Sequence, residues 1–347
     1  MYNAEFWFAI LAFSVLMYVI LDGFDLGLGI LYPWFKSPQE RGLMMSSIAH
    51  VWDGNETWLV FGGVILFAAF PKAYAMLLSG VYLPVIVMLL ALVMRGAAFE
   101  YRFKSTTSTV WWDRAFALGS STAAFCQGFI LGTVVDGKVV DGKIIQGDVI
   151  AASGPGLSLF PVLTGFAVMA GYALLGCGWM MIKKTPDMQI RAAKLAQMLT
   201  VIVLVSFIGV SLYSVLTNPL IWQRWFSWPN VLLLSPLPLL AMTLGGWLYL
   251  HCGYLAKTIK PGQTPTIYRL PFILTVLLFM LGFAGLWIGM HPYLIPGQLT
   301  LYDALAPKSS LSFVFYGVVA LLPVILIYTF YGYRVFGGKA EAISQLR

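Results

Sequence analysis

Two carboxyl groups lie three residues apart within the first long apolar segment of the chain. Asp22 and Asp25 occur in Leu-Asp-Gly-Phe-Asp-Leu-Gly-Leu-Gly at 21–29, after sixteen residues without charge. Side chains three residues apart occupy adjoining parts of one helix face, so one face carries both groups. Ionisable groups at membrane depth are costly and mark functional sites by default. Such a pair can accept, hold and release protons.

A second polar segment, Ser-Ser-Ile-Ala-His-Val-Trp-Asp-Gly-Asn-Glu-Thr-Trp, occupies 46–58. At about 100° per residue, His50, Asp53 and Thr57 share one stripe of a helix, whereas Glu56 points elsewhere. The glycines of the first segment, at 23, 27 and 29, would let another helix approach closely.

Arg95 and Glu100 follow in Arg-Gly-Ala-Ala-Phe-Glu-Tyr-Arg at 95–102. Three consecutive helices are therefore predicted to bring acids and a base to one depth on one side of a membrane. These groups could form a proton path. The alternative is an ion-paired network, Arg95 with Asp53 or with an aspartate of the first helix, that only locks the helices together. The residues alone leave both interpretations open.

The composition indicates that the elements positioning these groups are membrane helices. Of the 347 residues, 60% are apolar and only 10% charged, and the mean hydropathy is +0.84. Soluble domains are about 25% charged, so the numbers exclude a water-soluble enzyme. The formal charge of +7 is spread between apolar runs rather than gathered into a patch, so no nucleic-acid partner is predicted.

The chain is predicted to be an all-α integral membrane protein, a single polytopic membrane domain over 1–347. A span needs about 20 apolar residues. Nine predicted spans cover 5–32, 44–69, 73–101, 112–133, 158–182, 192–218, 229–256, 268–290 and 308–336. The first is interpreted as a retained helix rather than a signal peptide. Four prolines inside three spans predict kinks, at positions 84, 236, 238 and 323.

The distribution of lysine and arginine predicts the orientation. With the N-terminus outside, sixteen basic residues face the cytoplasm and five face outward, the five being Lys72, Lys138, Lys143, Arg224 and Lys308. Positive charge concentrates on the cytoplasmic side of short loops. The prediction is N-out and C-in, with the 134–157 connection forming a small hairpin outside.

Histidine and cysteine give little sign of a metal or haem centre. His50, His251 and His291 fall on different spans without a companion on the same helix, which favours polar interior or interfacial histidines over ligands. The three cysteines occur singly in apolar runs and are interpreted as buried free thiols.

Four motifs resemble subunit II of the cytochrome bd-type quinol oxidases, a family that includes cyanide-insensitive variants. They are Asp-Gly-Phe-Asp-Leu-Gly from 22, Trp-Asp-Gly-Asn-Glu-Thr-Trp from 52, Leu-Phe-Ala-Ala-Phe-Pro from 66 and Arg-Gly-Ala-Ala-Phe-Glu-Tyr-Arg from 95. The match is dense over about 18–104. Beyond that segment, the resemblance rests on nine spans, topology and length.

The resemblance implies two four-helix bundles plus one peripheral helix, in a bacterial inner membrane. It implies a haem-bearing partner, subunit I, that holds the low-spin haem b, the high-spin haem b, the haem d and the quinol site, and no cofactor in this chain. The complex would oxidise quinol and reduce O₂ to water with cytoplasmic protons. Asp53 matches the family's proton route, and Asp22, Asp25 and Arg95 are expected to support it, with His50, Glu56 and Glu100 nearby.

Several points stay open at this stage. Some relatives hold a structural quinone in subunit II, and some complexes carry small single-span subunits; neither these nor bound lipids are identified by this sequence. Many relatives have proline near the position of His50, which either titrates beside Asp53 or, as we favour, lies in a polar groove. The alternatives to a proton-conducting oxidase subunit are a proton-coupled secondary transporter and a purely structural oxidase subunit.

Overall fold

The computed structural model describes residues 3–105, 108–137, 144–145, 148–149, 159–183, 185–217, 219–261 and 266–335. Thirteen α-helices lie in these residues: α1 Ala4–Leu31, α2 Pro38–Ser46, α3 Trp52–Ala69, α4 Pro71–Arg102, α5 Thr109–Val135, α6 Leu159–Lys183, α7 Pro186–Thr217, α8 Pro219–Phe226, α9 Asn230–Leu234, α10 Pro236–Thr258, α11 Leu270–Met290, α12 Leu301–Ala304 and α13 Lys308–Val335.

Two short antiparallel hairpins accompany the helices. β1 Ile144–Ile145 pairs with β2 Asp148–Val149, within the connection for which a hairpin is predicted. The rest of that connection beyond Gly137 lies outside the described residues. β3 Tyr293–Ile295 pairs with β4 Leu299–Thr300 between α11 and α12.

Eight helical stretches of the described chain are long and apolar enough to cross a membrane, which makes this a multi-pass membrane protein. They correspond to α1, α4, α5, α6, α7, α9 with α10, α11 and α13. The 18-residue α3 is not in this set; it carries Asp53 and Glu56 near its start.

The structure differs from the predicted span 44–69. α2 ends at Ser46, residues 47–51 form turns, and a new helix begins at Trp52. The hydroxyls of Ser46 and Ser47 donate to the carbonyls of Leu43 and Met44, which stabilises a turn in place of a continuing helix. His50 therefore lies in a turn rather than on a helical stripe with Asp53.

The prolines act as predicted in one helix and differently in another. In α4 the backbone leaves helical geometry at Val81 (φ −123°, ψ 27°), three residues before Pro84. Proline in a helix interior removes a hydrogen bond and clashes with the preceding turn, so the kink expected there is confirmed. Pro236 and Pro238 instead lie at the start of α10, where α9 ends.

The helices pack around α1 and α6. α1 contacts α3, α5 and α6, while α6 also contacts α7 and α11. The largest apolar core lies between these helices, and a second core surrounds Trp7, Trp58 and the β3–β4 hairpin. We name the two ends of the molecule by their structure: the α2 end, where α1 finishes, and the hairpin end, where α1 starts beside β3–β4.

The expected close approach of helices at the α1 glycines is confirmed. A Cβ on Gly27 would overlap the backbone carbonyl of Tyr172, and one on Gly29 would overlap the side chain of Ser120. A Cβ on Gly23 would lie 2.9 Å from the ring of Tyr172. Small residues thus bring α1 directly against α5 and α6.

Candidate functional site

Charged and polar groups from three helices meet inside the protein. Arg95 of α4 lies with Nη2 2.8 Å from Asp22 Oδ1 of α1, and it forms a second ion pair with Glu56 of α3. Asn55 of α3 donates from Nδ2 to Asp25 Oδ2 at 2.7 Å. We call these five residues the buried acid cluster.

The cluster is almost wholly removed from solvent. The side chains of Asp22 and Arg95 are 0% exposed, and that of Glu56 is 25% exposed. Asp25 and Asn55 are also buried. Charges buried to this degree are maintained only when ion pairs or hydrogen bonds offset the loss of hydration.

The last transmembrane helix completes the cluster. The hydroxyl of Tyr333, near the end of α13, donates to Asn55 Oδ1 at 2.9 Å. Asn55 also donates to the carbonyl of Leu21 at 3.2 Å, in the turn of α1 that precedes Asp22. One amide therefore connects α13 to both the backbone of α1 and the carboxyl group of Asp25.

Acid outnumbers base in this cluster. Asp22, Asp25 and Glu56 face a single guanidinium, and no ion pair to Asp25 is found in the described part of the chain. Among the described residues, no hydrogen-bond partner is found for Asp22 Oδ2, Asp25 Oδ1, or the Nε and Nη1 of Arg95. Chemically, the arrangement can bind a proton on the acid that lacks a cation.

Asp53 does not belong to this cluster, because it lies on the opposite side of α3. It is exposed together with Thr57, whereas Asn55 and Glu56 point inward. The prediction that Glu56 points away from the stripe of Asp53 and Thr57 is confirmed, and Glu56 rather than Asp53 is paired with Arg95. His50 is exposed in the preceding turn.

Glu100 also lies outside the cluster. It pairs with Lys104 at 2.9 Å, one turn along the same chain segment, and both side chains are about two-thirds exposed (64% and 67%). Exposed pairs of this kind contribute little to stability. The predicted meeting of acids and a base is therefore confirmed for Asp22, Asp25, Glu56 and Arg95 but wrong for Glu100.

Asp53 lies at one end of an exposed apolar surface on α3 and α4. Val60, Val64 and Phe67 of α3 are 65%, 52% and 59% exposed. On α4, Leu90 and Val93 are 65% and 69% exposed. We call this surface, with Asp53 and Thr57, the α3–α4 face. A carboxylate on an apolar surface at membrane depth is unfavourable in lipid, so a protein partner is the better match for it.

A second ionic network braces the α2 end. Asp113 of α5 accepts from Arg102 Nε at 2.5 Å and from Arg41 Nη1 at 3.2 Å. Arg102 also donates to the carbonyl of Pro38, and Arg41 Nε to the carbonyl of Phe35 at 2.7 Å. This network fixes α2 below the buried acid cluster.

The three histidines occupy separate elements. His50 lies in the turn before α3, His251 in α10, and His291 after α11, where its Nε2 is 2.9 Å from Glu5 Oε1. No group of three or more His, Cys, Asp or Glu that could hold a metal ion occurs in the described residues. The carboxylates, amide and guanidinium of the buried acid cluster do not fit axial haem ligation, which uses His, Met, Cys or Tyr.

The fold and the site together define a class: a multi-pass α-helical membrane protein with a charged cluster in its interior. The family model of cytochrome bd terminal oxidase subunit II matches residues 3–336. This chain belongs to that family. It is therefore a membrane-embedded subunit of a bacterial oxidoreductase complex, and the transporter interpretation is not supported.

Individual relatives agree with the family. The chain is 26% identical to the cytochrome bd-I ubiquinol oxidase subunit 2 of Escherichia coli K12, over 95% of this chain and 93% of that one. It is 31% identical to the probable cytochrome oxidase subunit 2 of Haemophilus influenzae, over 60% of this chain and 57% of that one. The bd oxidase structure from Geobacillus thermodenitrificans matches with a TM-score of 0.73 and 16% identity, covering 97% of this chain and 99% of that chain.

Proposed function

We propose that this chain is the haem-free subunit II of a bd-type quinol oxidase, which scaffolds a haem-bearing subunit I and supplies part of the path for cytoplasmic protons. The orientation is N-out and C-in, so the α2 end faces the cytoplasm. When assembled, the haems of subunit I carry the electron chemistry; this chain's own residues hold and pass protons. The nine spans, arranged as two four-helix bundles and one peripheral helix, belong to the same proposal.

One observation carries the proton-path proposal: the two sides of α3 carry acids with different surroundings. Glu56 points inward to Arg95, whereas Asp53 points outward onto the α3–α4 face. A partner seated on this face would bury Asp53 at the subunit junction. Asp53 is then the acid through which protons pass between this chain and subunit I.

The depth of Asp53 supports this assignment. Asn55, two residues after Asp53, contacts Asp25 of α1. Asp25 precedes the end of α1, Leu31, by six residues, which at 1.5 Å per residue is about 9 Å along the helix axis. Asp53 therefore lies near the α2 end but inside the helical layer, where a proton entering from the cytoplasm would first meet a carboxyl group.

The proposed role of the buried acid cluster is to store a proton behind this entry point. Asp22 and Glu56 share the charge of Arg95, while Asp25 accepts from the neutral amide of Asn55. Burial disfavours the charged form of an acid that lacks a cation. Asp25 is accordingly the member assigned the proton, with Arg95 holding its two neighbours ionised.

A purely structural subunit is the second candidate, and one observation favours it. Arg95 is ion-paired with both Asp22 and Glu56 and so joins α1, α3 and α4. A network whose only role is to hold helices together would have the same contacts. The two candidates differ at Asp53, which is not ion-paired with Arg95 among the described residues.

The test is oxygen consumption by the purified complex carrying Asp53→Asn. We expect turnover to fall roughly tenfold, equivalent to about 1.4 kcal/mol on the barrier to proton entry, with haem content and assembly unchanged. Asp53→Glu should restore most of the activity. Glu100→Gln is the matched control, since it removes an exposed acid of the same region. Full turnover in an assembled Asp53→Asn complex would exclude the proton path and leave the structural role.

A further inference from the structure

Three polar side chains continue from the buried acid cluster towards the hairpin end. Gln127 of α5 donates from Nε2 to the hydroxyl oxygen of Tyr18 on α1 at 2.7 Å. The hydroxyl of Tyr172 on α6 donates to Gln127 Oε1, also at 2.7 Å. Tyr18 and Tyr172 are 4% and 1% exposed. A single amide therefore joins two buried phenols from different helices.

The two hydrogen bonds that join Tyr172, Gln127 and Tyr18 have the same donor-to-acceptor direction. The amide of Gln127 accepts from Tyr172 on one side and donates to Tyr18 on the other. Because the oxygen of Tyr18 already accepts a hydrogen bond, its own hydrogen remains available to donate. Tyr18 precedes Asp22 by one helical turn and faces it. Asp22 Oδ2 is an acceptor without a hydrogen-bond partner among the described residues.

We propose that Gln127 is a positioning residue that directs the Tyr18 hydroxyl to donate to Asp22 and so keeps Asp22 as the ionised partner of Arg95. The inference rests on the proposed proton path and deepens it, because it names what decides which acid of the cluster holds the proton. A carboxylate that accepts a hydrogen bond is favoured in its charged form. The proton of the cluster is thereby left to Asp25.

The groups around Asp22 are consistent with this assignment. The titratable and charged groups that face it from its own and neighbouring helices are Tyr18, Asp25, Glu56, Arg95, Tyr172 and Tyr333. Arg95 supplies the positive charge. The hydroxyls of Tyr172 and Tyr333 already donate elsewhere, whereas that of Tyr18 has a hydrogen left to give. Gly23 gives the ring of Tyr172 its room, because a Cβ there would lie 2.9 Å from two ring carbons.

The test uses a nearly isosteric substitution that reverses the hydrogen bond between residue 127 and Tyr18. In Gln127→Glu, the carboxylate accepts from Tyr172 and from Tyr18, so the Tyr18 hydrogen turns away from Asp22. Tyr18→Phe removes the same donor while keeping the ring. Gln39→Glu, an exposed change on α2, is the matched control.

The readout is the infrared C=O stretch of protonated carboxyl groups in the purified complex, followed against pH and assigned with Asp22→Asn and Asp25→Asn. We expect the titration of Asp22 to move upward by about one to two pH units in Gln127→Glu and Tyr18→Phe, the usual effect of losing one hydrogen bond to a charged group. Gln39→Glu should match the wild type.

A titration identical to that of the wild type in an assembled Tyr18→Phe complex would overturn the proposal and leave Gln127 as a link between helices. An unchanged titration in an assembled Gln127→Glu complex would overturn it as well. If Gln127→Glu fails to assemble, Tyr18→Phe still tests the hydrogen bond to Asp22 that the proposal requires. The infrared result does not depend on turnover, so it stays informative even if Asp53→Asn has full oxidase activity and the proton path itself is excluded.

Discussion

The protein contains two ionic networks with the same kinds of side chain and opposite charge balance. At the α2 end, two arginines, Arg41 and Arg102, share one acid, Asp113, and each also donates to a backbone carbonyl. In the buried acid cluster, three acids lie around the single Arg95, which is ion-paired with Asp22 and Glu56. The first network has surplus donors that the backbone satisfies; the second has surplus acceptors.

This difference separates a brace from a proton-binding site. Guanidinium groups hold their charge at any physiological pH, so a network with surplus arginine has one protonation state. Surplus buried carboxyl groups can exchange a proton, because not all of them can stay ionised beside one cation. The charge balance, rather than the presence of ion pairs, therefore predicts which network takes part in proton transfer.

The largest expected effect follows from removing the cation of the buried acid cluster. Arg95→Met leaves Asp22 and Glu56 buried without a counter-ion, and breaking a buried pair in this way costs about 3–5 kcal/mol. We expect the assembled complex to be lost or its melting temperature to fall steeply. Arg102→Met should cost less, because Arg41 remains paired with Asp113.

Thermal unfolding and yield of the purified complex measure both variants. Arg114→Met, an exposed position beside Asp113, is the control for the loss of one arginine. Equal melting temperatures for Arg95→Met and Arg102→Met would show that the two networks do not differ as their charge balance implies.

A smaller effect is expected when the acid of the brace is neutralised. Asp113→Asn removes the charge that Arg41 and Arg102 share, and a hydrogen bond to a charged group contributes about 1.5–3 kcal/mol. The complex should melt at a lower temperature while its oxygen consumption keeps the same pH profile. A changed pH profile in this variant would assign the brace a part in proton transfer.

Neutralising Asp25 should lower the activity and leave the stability nearly unchanged, the reverse of the result expected for Asp113→Asn. Asn at this position keeps an oxygen to accept from Asn55, and a neutral amide takes the place of the protonated carboxyl group assigned to Asp25. We expect stability to change by less than about 1 kcal/mol, within the usual range for an isosteric change without a new unpaired charge, while oxygen consumption falls. A large loss of stability with normal turnover would instead identify Asp25 as structural.

The sequence predicted the charged members of the site because charge stands out in apolar segments. Asp22, Asp25, Glu56 and Arg95 could all be singled out, and the phase of α3 correctly separated Glu56 from Asp53. The turn at 47–51 was missed, because serines that bond back to the preceding helix resemble any polar start of a span. Glu100 was grouped with the cluster by proximity along the chain, although its own helix turns it outward.

The neutral members of the site could not be predicted from one sequence. Tyr18, Gln127, Tyr172 and Tyr333 are single polar residues on four different helices. The packing of α1 against α5 and α6, and of α13 against α3, brings them to the site. The small residues at Gly23 and Gly27 indicated that some helix approaches α1. They carry no information on which helix it is.

The smallest effect on stability is expected at the hairpin end, where Glu5 and its partners are exposed to water. Glu5 accepts from the hydroxyl of Tyr302 at 2.7 Å and lies 2.9 Å from His291 Nε2. The hydrogen bond to Glu5 raises the pKa of Tyr302 above its ordinary value. A raised phenol pKa means that this contact stabilises the fold below pH about 10 and is lost as the pH rises through the raised value.

Tyr302→Phe should therefore lower the melting temperature only slightly, and by the same amount between pH 7 and 9, because water solvates both groups when they part. Thermal unfolding of this variant and the wild type at several pH values measures the difference. An effect as large as that of Asp113→Asn would mean that exposure does not weaken these contacts. Burial would then not explain why substitutions in the buried acid cluster and in the network of Asp113 are expected to destabilise the protein more than those at the hairpin end.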